Sequence, residues 1–234
     1  MPEVRQIILD TETTGLDPAL GHRIIEIGGV EIVNRQPTGK QFHRYVNPER
    51  DSDEGALQVH GITTEFLQDK PKFREIAREF LDYVKGAELV IHNAAFDIAF
   101  LNHELRLLDL QPVTTVCAAV IDSLKQAREL HPGKRNSLDA LCERYQIDNT
   151  GRTLHGALLD AQLLAEVYLA MTRGQDSLLI DAEPAAVAQA EEAAREKFDI
   201  IVLRASDEEI AAHEAQLADI DKASGGKCLW KNIR

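Results

Sequence analysis

The sequence predicts an α/β fold: a mixed β-sheet flanked by helices, followed by a small C-terminal docking segment. Three observations carry this. The opening residues hold three strand-like runs separated by turn-rich pieces. The apolar period then changes from two to the helical spacing between residues 73 and 86. After that, strands and helices alternate, as β-α-β units do.

Residues 5–13, "RQIILDTET", and 23–33, "RIIEIGGVEIV", are rich in Ile and Val, and 40–47 alternates polar with apolar residues. The intervening "GLDPALG" and "NRQPTG" are turn-forming, so the three runs read as an antiparallel meander. In "FREIAREFLDYVKG", Phe73, Ile76, Ala77, Phe80, Leu81 and Val84 recur at i, i+3, i+4, i+7 and i+8, with Gly86 just past the end. That is an amphipathic helix. Residues 88–93 read as a buried strand, 96–108 as a helix and 114–120 as another strand. Helices are expected near 122–130, 137–145 and 156–172.

Past residue 174 the texture shifts to Ala and Glu with few bulky apolar residues, the composition of a solvated linker. Residues 198–205, "FDIIVLRA", are strand-like. Ser206 and Glu209 then form an S-x-x-E capping box, opening a helix that stops near Gly225 and Gly226. Three regions are therefore expected: a main domain over 1–174, a linker over 175–197 and a docking segment over 198–234.

Composition narrows the function. The 234 residues are 44% hydrophobic and 28% charged, ordinary for a globular chain, and no apolar stretch is long enough to span a membrane. The N-terminus does not read as a secretory signal. Cys117, Cys142 and Cys228 are odd in number and widely spaced, which suits a reducing cytoplasm better than disulfides or zinc. The net charge of −13 argues against broad affinity for nucleic acid, because that affinity comes from Lys and Arg neutralising phosphates.

Asp10 and Glu12 stand two apart at the end of the first strand, so their side chains share a face. Two carboxylates there make an oxygen cluster of the kind hard divalent cations prefer. Alone, they read more readily as solvated acids entering a turn. Asp97 begins the helix after "VIHN" and could simply cap it. Asp160 lies on a Leu- and Ala-rich helix and could be a surface acid. His155 is five residues before Asp160, about 500° of an ideal helix, so the two would not share a face if both were helical. His155 must precede the helix, on a loop that Gly156 frees, to reach the same place. Were the four acids to converge, two divalent ions would offset their repulsion and support phosphodiester hydrolysis, with a histidine near pKa 6.5 taking the proton.

"DTETTGL", "HNAAFD" and "HGALLD" together resemble the three motifs of the DEDD exonuclease superfamily in its histidine branch, in order and across residues 10–160. "VHGIT" resembles the substrate-side segment of that family. Within it, the chain is similar over essentially its whole length to the proofreading subunits of bacterial replicative polymerases. The resemblance implies a ribonuclease H-like fold and 3′→5′ DNA exonuclease activity in replication. It implies two divalent cations (Mg²⁺ or Mn²⁺) on Asp10, Glu12, Asp97 and Asp160, with His155 as general base. It further implies that His60 and Phe96, together with Asp10, Glu12 and Asp160, meet the 3′-terminal nucleotide. Gly55 departs from the pattern, where a side chain reaching the terminal ribose is expected, and this leaves the strictness of DNA preference open.

The implied partners are DNA 3′ ends, the catalytic alpha subunit of a DNA polymerase III, the beta sliding clamp and a small theta-like accessory subunit. Gln175, Ser177, Leu178 and Leu179 resemble a clamp-binding peptide. Ile200, Val202, Leu203, Leu217, Leu229 and Trp230 are the apolar anchors expected on the polymerase, Trp being a frequent hot spot. Tethering to a polymerase would compensate weak intrinsic DNA affinity. The alternatives are an RNA-processing exoribonuclease of the same superfamily and a non-catalytic adaptor between polymerase and clamp.

Overall fold

A computed structural model describes residues 4–152, 154–173, 205–225, 228 and 230. The chain divides into two compact units, Met1–Ala182 and Glu183–Arg234.

The first unit is built on a five-stranded sheet. Strands β1 (Arg5–Thr13), β2 (Ile24–Val33) and β3 (Gln36–Tyr45) form the antiparallel meander, and β4 (Glu88–Ile91) and β5 (Ala119–Asp122) add in parallel, giving the order β3-β2-β1-β4-β5. Helices α1 (Glu54–His60), α2 (Thr64–Leu67) and α3 (Phe73–Val84) lie between β3 and β4. Then come α4 (Ala94–Arg106), α5 (Ser123–Leu130), α6 (Leu138–Tyr145) and α7 (Ala157–Met171).

Alternation along β1 divides the interior in two. Ile7 and Leu9 pack with Phe73, Phe80, Leu89 and Phe100 on one face, while Ile8 packs with Leu141, Leu164 and Val167 on the other. Each such side chain, fully buried, stabilises the fold by roughly 1.5–3 kcal/mol. The apolar stripe of α3 faces the first of these clusters, as its spacing requires. Arg23 and Glu104 fasten the start of β2 to α4 through two 2.7 Å hydrogen bonds, with Glu104 buried.

Two boundaries differ from expectation by more than two residues. The expected strand 114–120 is a 3₁₀ turn at Val113–Thr115 followed by the short β5, whose pairing with β4 begins at Ala119 opposite Glu88. Val113 and Cys117 are buried by that turn, which explains their apolar character without a strand. The third strand begins at Gln36, earlier than 40, and its first half is exposed on both faces.

In the second unit, α8 (Asp207–Ala223) carries the expected capping box: Ser206 Oγ accepts from Glu209 N–H, and Glu209 accepts from Ser206 N–H at 2.8 Å. Its side chains are solvated; Leu217 is half-buried and Trp230 is exposed. The linker 175–197, the clamp-peptide residues Gln175, Ser177, Leu178 and Leu179, the strand-like 198–204 and the anchors Ile200, Val202, Leu203 and Leu229 lie outside the described residues.

Candidate active site

The sheet brings Asp10 and Glu12 to the C-terminal end of β1. Strand order here places parallel β4 on one side and antiparallel β2 on the other, and open sheets bind ligands at such ends. The register shifts between Glu12 and Thr13, a bulge that ends regular pairing just after the second acid. Asp10 stands opposite Gly28, and Glu12 opposite Glu26.

Gly28 is where α7 arrives. A Cβ there would lie 2.2 Å from Ala157 C and Leu158 N, so only glycine lets the first turn of α7 rest on β2. Buried Glu26 secures the same turn, accepting the Ala157 N–H at 3.1 Å while its other oxygen meets His43 Nε2 at 2.7 Å. Together these place Asp160, in the first turn of α7, above Asp10.

Gly156 is the extended N-cap of α7, so His155 precedes the helix as the spacing required. Its backbone N–H donates to Val59 O at 3.1 Å, tying the loop to α1. Donor atoms of Glu12, His155 and Asp160 all lie within 4.8 Å of one another, close enough to share a cation.

Asp97 comes from the first turn of α4, whose N-cap Asn93 adopts φ 66°, a left-handed conformation that Asn tolerates better than most residues. Thr11 points to this side of β1 and donates to Asp97 Oδ1 through Oγ1 at 2.7 Å and through N–H at 3.0 Å. His92, just before, meets Ser123 Oγ through Nδ1 at 3.0 Å.

A cleft of about 450 Å³ is lined by Asp10, Glu12, Phe96, Asp97, His155 and Asp160. A neighbouring hollow of about 480 Å³ shares Glu12 and Phe96 and adds His60, Gly55 and Leu16. His60 is buried; its Nδ1 accepts from Ile62 N–H, so neutral imidazole carries its proton on Nε2, which has no partner among the described residues. Burial lowers the His60 pKa. Phe96 is half-buried and rests against Phe100.

The electrostatics are those of crowded carboxylates. Burial, then Asp97, Glu12 and Asp160, raise Asp10 well above its ordinary range. Burial pushes Glu12 up to about 8, and Asp97 to about 7 against the opposing bonds from Thr11. For Asp160 burial acts upward, but hydrogen bonds from His155 and Arg152 prevail and hold it below the usual value. The bond to Asp160 raises His155. Hard oxygen donors whose ionisation is resisted by mutual repulsion are a donor set that a divalent cation fits.

Reading the sequence alone missed Arg152, Asp139, Thr11 and Glu26. The visible signal was Arg152, the lone Lys or Arg in "NTGRTLHGALLD", in a segment already suspected of carrying the histidine.

The family model described as "Exonuclease" (RNase_T) matches residues 7–168. "DNA polymerase III subunit epsilon" of Escherichia coli (strain K12) is 57% identical over 238 residues, covering 97% of each chain. Its counterpart in Pasteurella multocida (strain Pm70) is 51% identical, covering 97% of this chain and 93% of the relative. Among solved structures, exonuclease X in complex with 5′ overhanging duplex DNA aligns with a TM-score of 0.57 at 26% identity, over 72% of this chain and 92% of that one. The nuclease domain of 3′hExo, a DEDDh family member bound to rAMP, aligns with a TM-score of 0.63 at 21% identity, over 74% and 94% of the respective chains. The latter shows a shared fold.

Proposed function

The chain belongs to the RNase_T exonuclease family and, within it, to the DNA polymerase III epsilon-subunit family, and from that premise we propose how its residues act. It is a 3′→5′ exonuclease dependent on divalent metal, and its task is to remove mispaired nucleotides from DNA 3′ ends during replication, releasing 5′-mononucleotides. The observation that carries this reading is the convergence of Asp10, Glu12, Asp97, His155 and Asp160 from four separate segments on one cleft.

Asp10, Glu12, Asp97 and Asp160 would hold two divalent ions, Mg²⁺ or Mn²⁺. Bound there, the cations supply Lewis acidity that activates water and offsets charge developing on the phosphodiester. Thr11 holds Asp97 in a single orientation, and Glu26 holds the α7 turn that bears Asp160. His155 Nδ1 lies 3.2 Å from Asp160 Oδ2, so a proton on Nδ1 can be donated to Asp160, leaving the Nε2 lone pair to accept a proton from water. Nε2–H of His60 and the ring of Phe96 would receive the terminal nucleotide in the adjoining hollow.

The proposed organisation is a nuclease domain over 1–174, a clamp-binding peptide and linker over 175–197, and a polymerase-docking segment over 198–234. Its partners would be the alpha subunit, the beta clamp and a small theta-like subunit, in the cytoplasm. Support comes from the high identity to epsilon subunits along nearly the full chain.

Digestion of a primer with a 3′ mismatch, with and without Mg²⁺, tests the activity. Asp10→Ala should abolish it, and retained activity would sink the mechanism. Single-stranded RNA in parallel separates this reading from an exoribonuclease. Co-purification with the polymerase, comparing the full chain with one ending near residue 174, tests the division of labour.

A further inference from the structure

Arg152 has no part in the chemistry just described, yet its side chain is only 6% exposed and fully engaged in the cleft. Its Nε donates to Asp160 Oδ1 at 2.5 Å and its Nη2 to Asp160 Oδ2 at 2.6 Å, a bidentate fork. Nη1 reaches Asp139 Oδ1 at 2.6 Å, and Nη2 also lies 2.8 Å from His155 Nδ1. Asp139 is more than half exposed, so a guanidinium can rest on it at small desolvation cost.

We propose that Arg152 is an internal counter-cation that a divalent ion must displace: it latches Asp160 and His155 before the ion binds, and then moves fully onto Asp139. The fork occupies both oxygens of Asp160, and a guanidinium and a dication on one carboxylate repel each other in a poorly screened cleft. The latch also disables the histidine. Arg152 Nη2 and Asp160 Oδ2 compete for the same His155 Nδ1, and whenever Nδ1 accepts from the arginine, neutral imidazole carries its proton on Nε2 and has no acceptor left for water. One displacement thus frees the ligand and the base together. This makes Arg152 a positioning residue that couples metal loading to assembly of the site, and it rests on the reading of Asp160 as a metal ligand.

The test is Mn²⁺ binding to the full chain without DNA, measured by calorimetry and electron paramagnetic resonance at alkaline pH, where Asp160 stays ionised. Arg152→Gln should bind Mn²⁺ tighter by at least about tenfold, the worth of one charged hydrogen bond. Arg152→Lys keeps the charge and should not show that gain, which separates lost charge from a disturbed loop. Asp139→Asn should weaken binding, because the arginine loses its second seat, and the effect should vanish when Arg152→Gln is added. Unchanged or weaker binding in Arg152→Gln overturns the inference, as does an equal effect of Asp139→Asn in both backgrounds. Asp160→Asn serves as the reference. If it leaves Mn²⁺ affinity unchanged, the ligand reading fails and takes this inference with it; if it weakens binding while Arg152→Gln does nothing, only the inference fails.

Discussion

Removing divalent ions and raising the pH should destabilise the first unit, and the size of the effect follows from Glu12. Burial pushes its pKa from 4.5 to about 8, so the folded protein favours the protonated acid while the unfolded chain releases the proton near its ordinary value. Between those values the native state holds more protons than the unfolded one, and stability falls as pH rises. From about pH 5 to about pH 8, Glu12 alone accounts for roughly 3–4 kcal/mol at 1.36 kcal/mol per pH unit. Asp97, raised to about 7, and Asp10, raised by burial and its neighbours, act in the same direction. His155, also raised, loses its contribution as pH climbs through its folded pKa. Asp160 is depressed, so its stabilisation is lost only as pH falls below the ordinary carboxylate range, outside this window. At roughly 2–4 °C per kcal/mol for a domain of this size, Glu12 alone should lower Tm in EDTA by about 10 °C between pH 5 and pH 8, and the other raised groups add to that fall. Calorimetric melts of the full chain in EDTA across that range measure it, and saturating Mg²⁺ should restore much of the loss at the upper end. Glu12→Gln should flatten the slope. A Tm that holds level or rises with pH in EDTA would refute the electrostatic account of the cleft.

Three other perturbations separate chemistry from scaffolding. His155→Gln should lower kcat by about 10²–10⁴-fold with Tm nearly unchanged, as expected of a general base on an exposed loop. Gly28→Ala should force the first turn of α7 away from β2, costing about 1–3 kcal/mol in a chemical melt and reducing kcat beyond that loss because Asp160 moves with the helix. Glu104→Ala leaves Arg23 without its carboxylate, and denaturant unfolding should report a loss of about 3–5 kcal/mol while residual folded protein keeps its kcat.

The elements legible in the sequence are those that bury a periodic face. Helix α3 runs over Phe73–Val84, where its stripe placed it, because Phe73, Ile76, Phe80 and Val84 all enter the core. Helices α1 and α2 left no such trace. Leu57, Val59 and Phe66 are exposed there and only Leu67 is an apolar residue that is buried, so no periodic stripe marks a buried side. The acids and His155 were legible as types at characteristic spacings, and the structure sets them on one cleft. Their supports were not. Glu26 reads as one more strand acid until α7 arrives 131 positions later, and Arg152 shows no partner until Asp139 and Asp160 fold against it.

The four acids divide by how they are held, and the division bears on what the cleft is for. Asp97 takes two hydrogen bonds from Thr11, and Asp160 takes a fork from Arg152, so each is fixed in position by donors. Asp10 and Glu12 accept no hydrogen bond from the described residues, and the charges of Arg152 near Asp10 and His155 near Glu12 only partly offset their burial. A fold selected only for stability would cover this pair with a donor or replace it, since an uncompensated buried carboxylate costs several kcal/mol. On the proposed reading, the held pair supplies geometry and the bare pair supplies affinity. The energy that would be spent ionising Asp10 and Glu12 would be offset by a bound dication, which ties the completed active site to its ions.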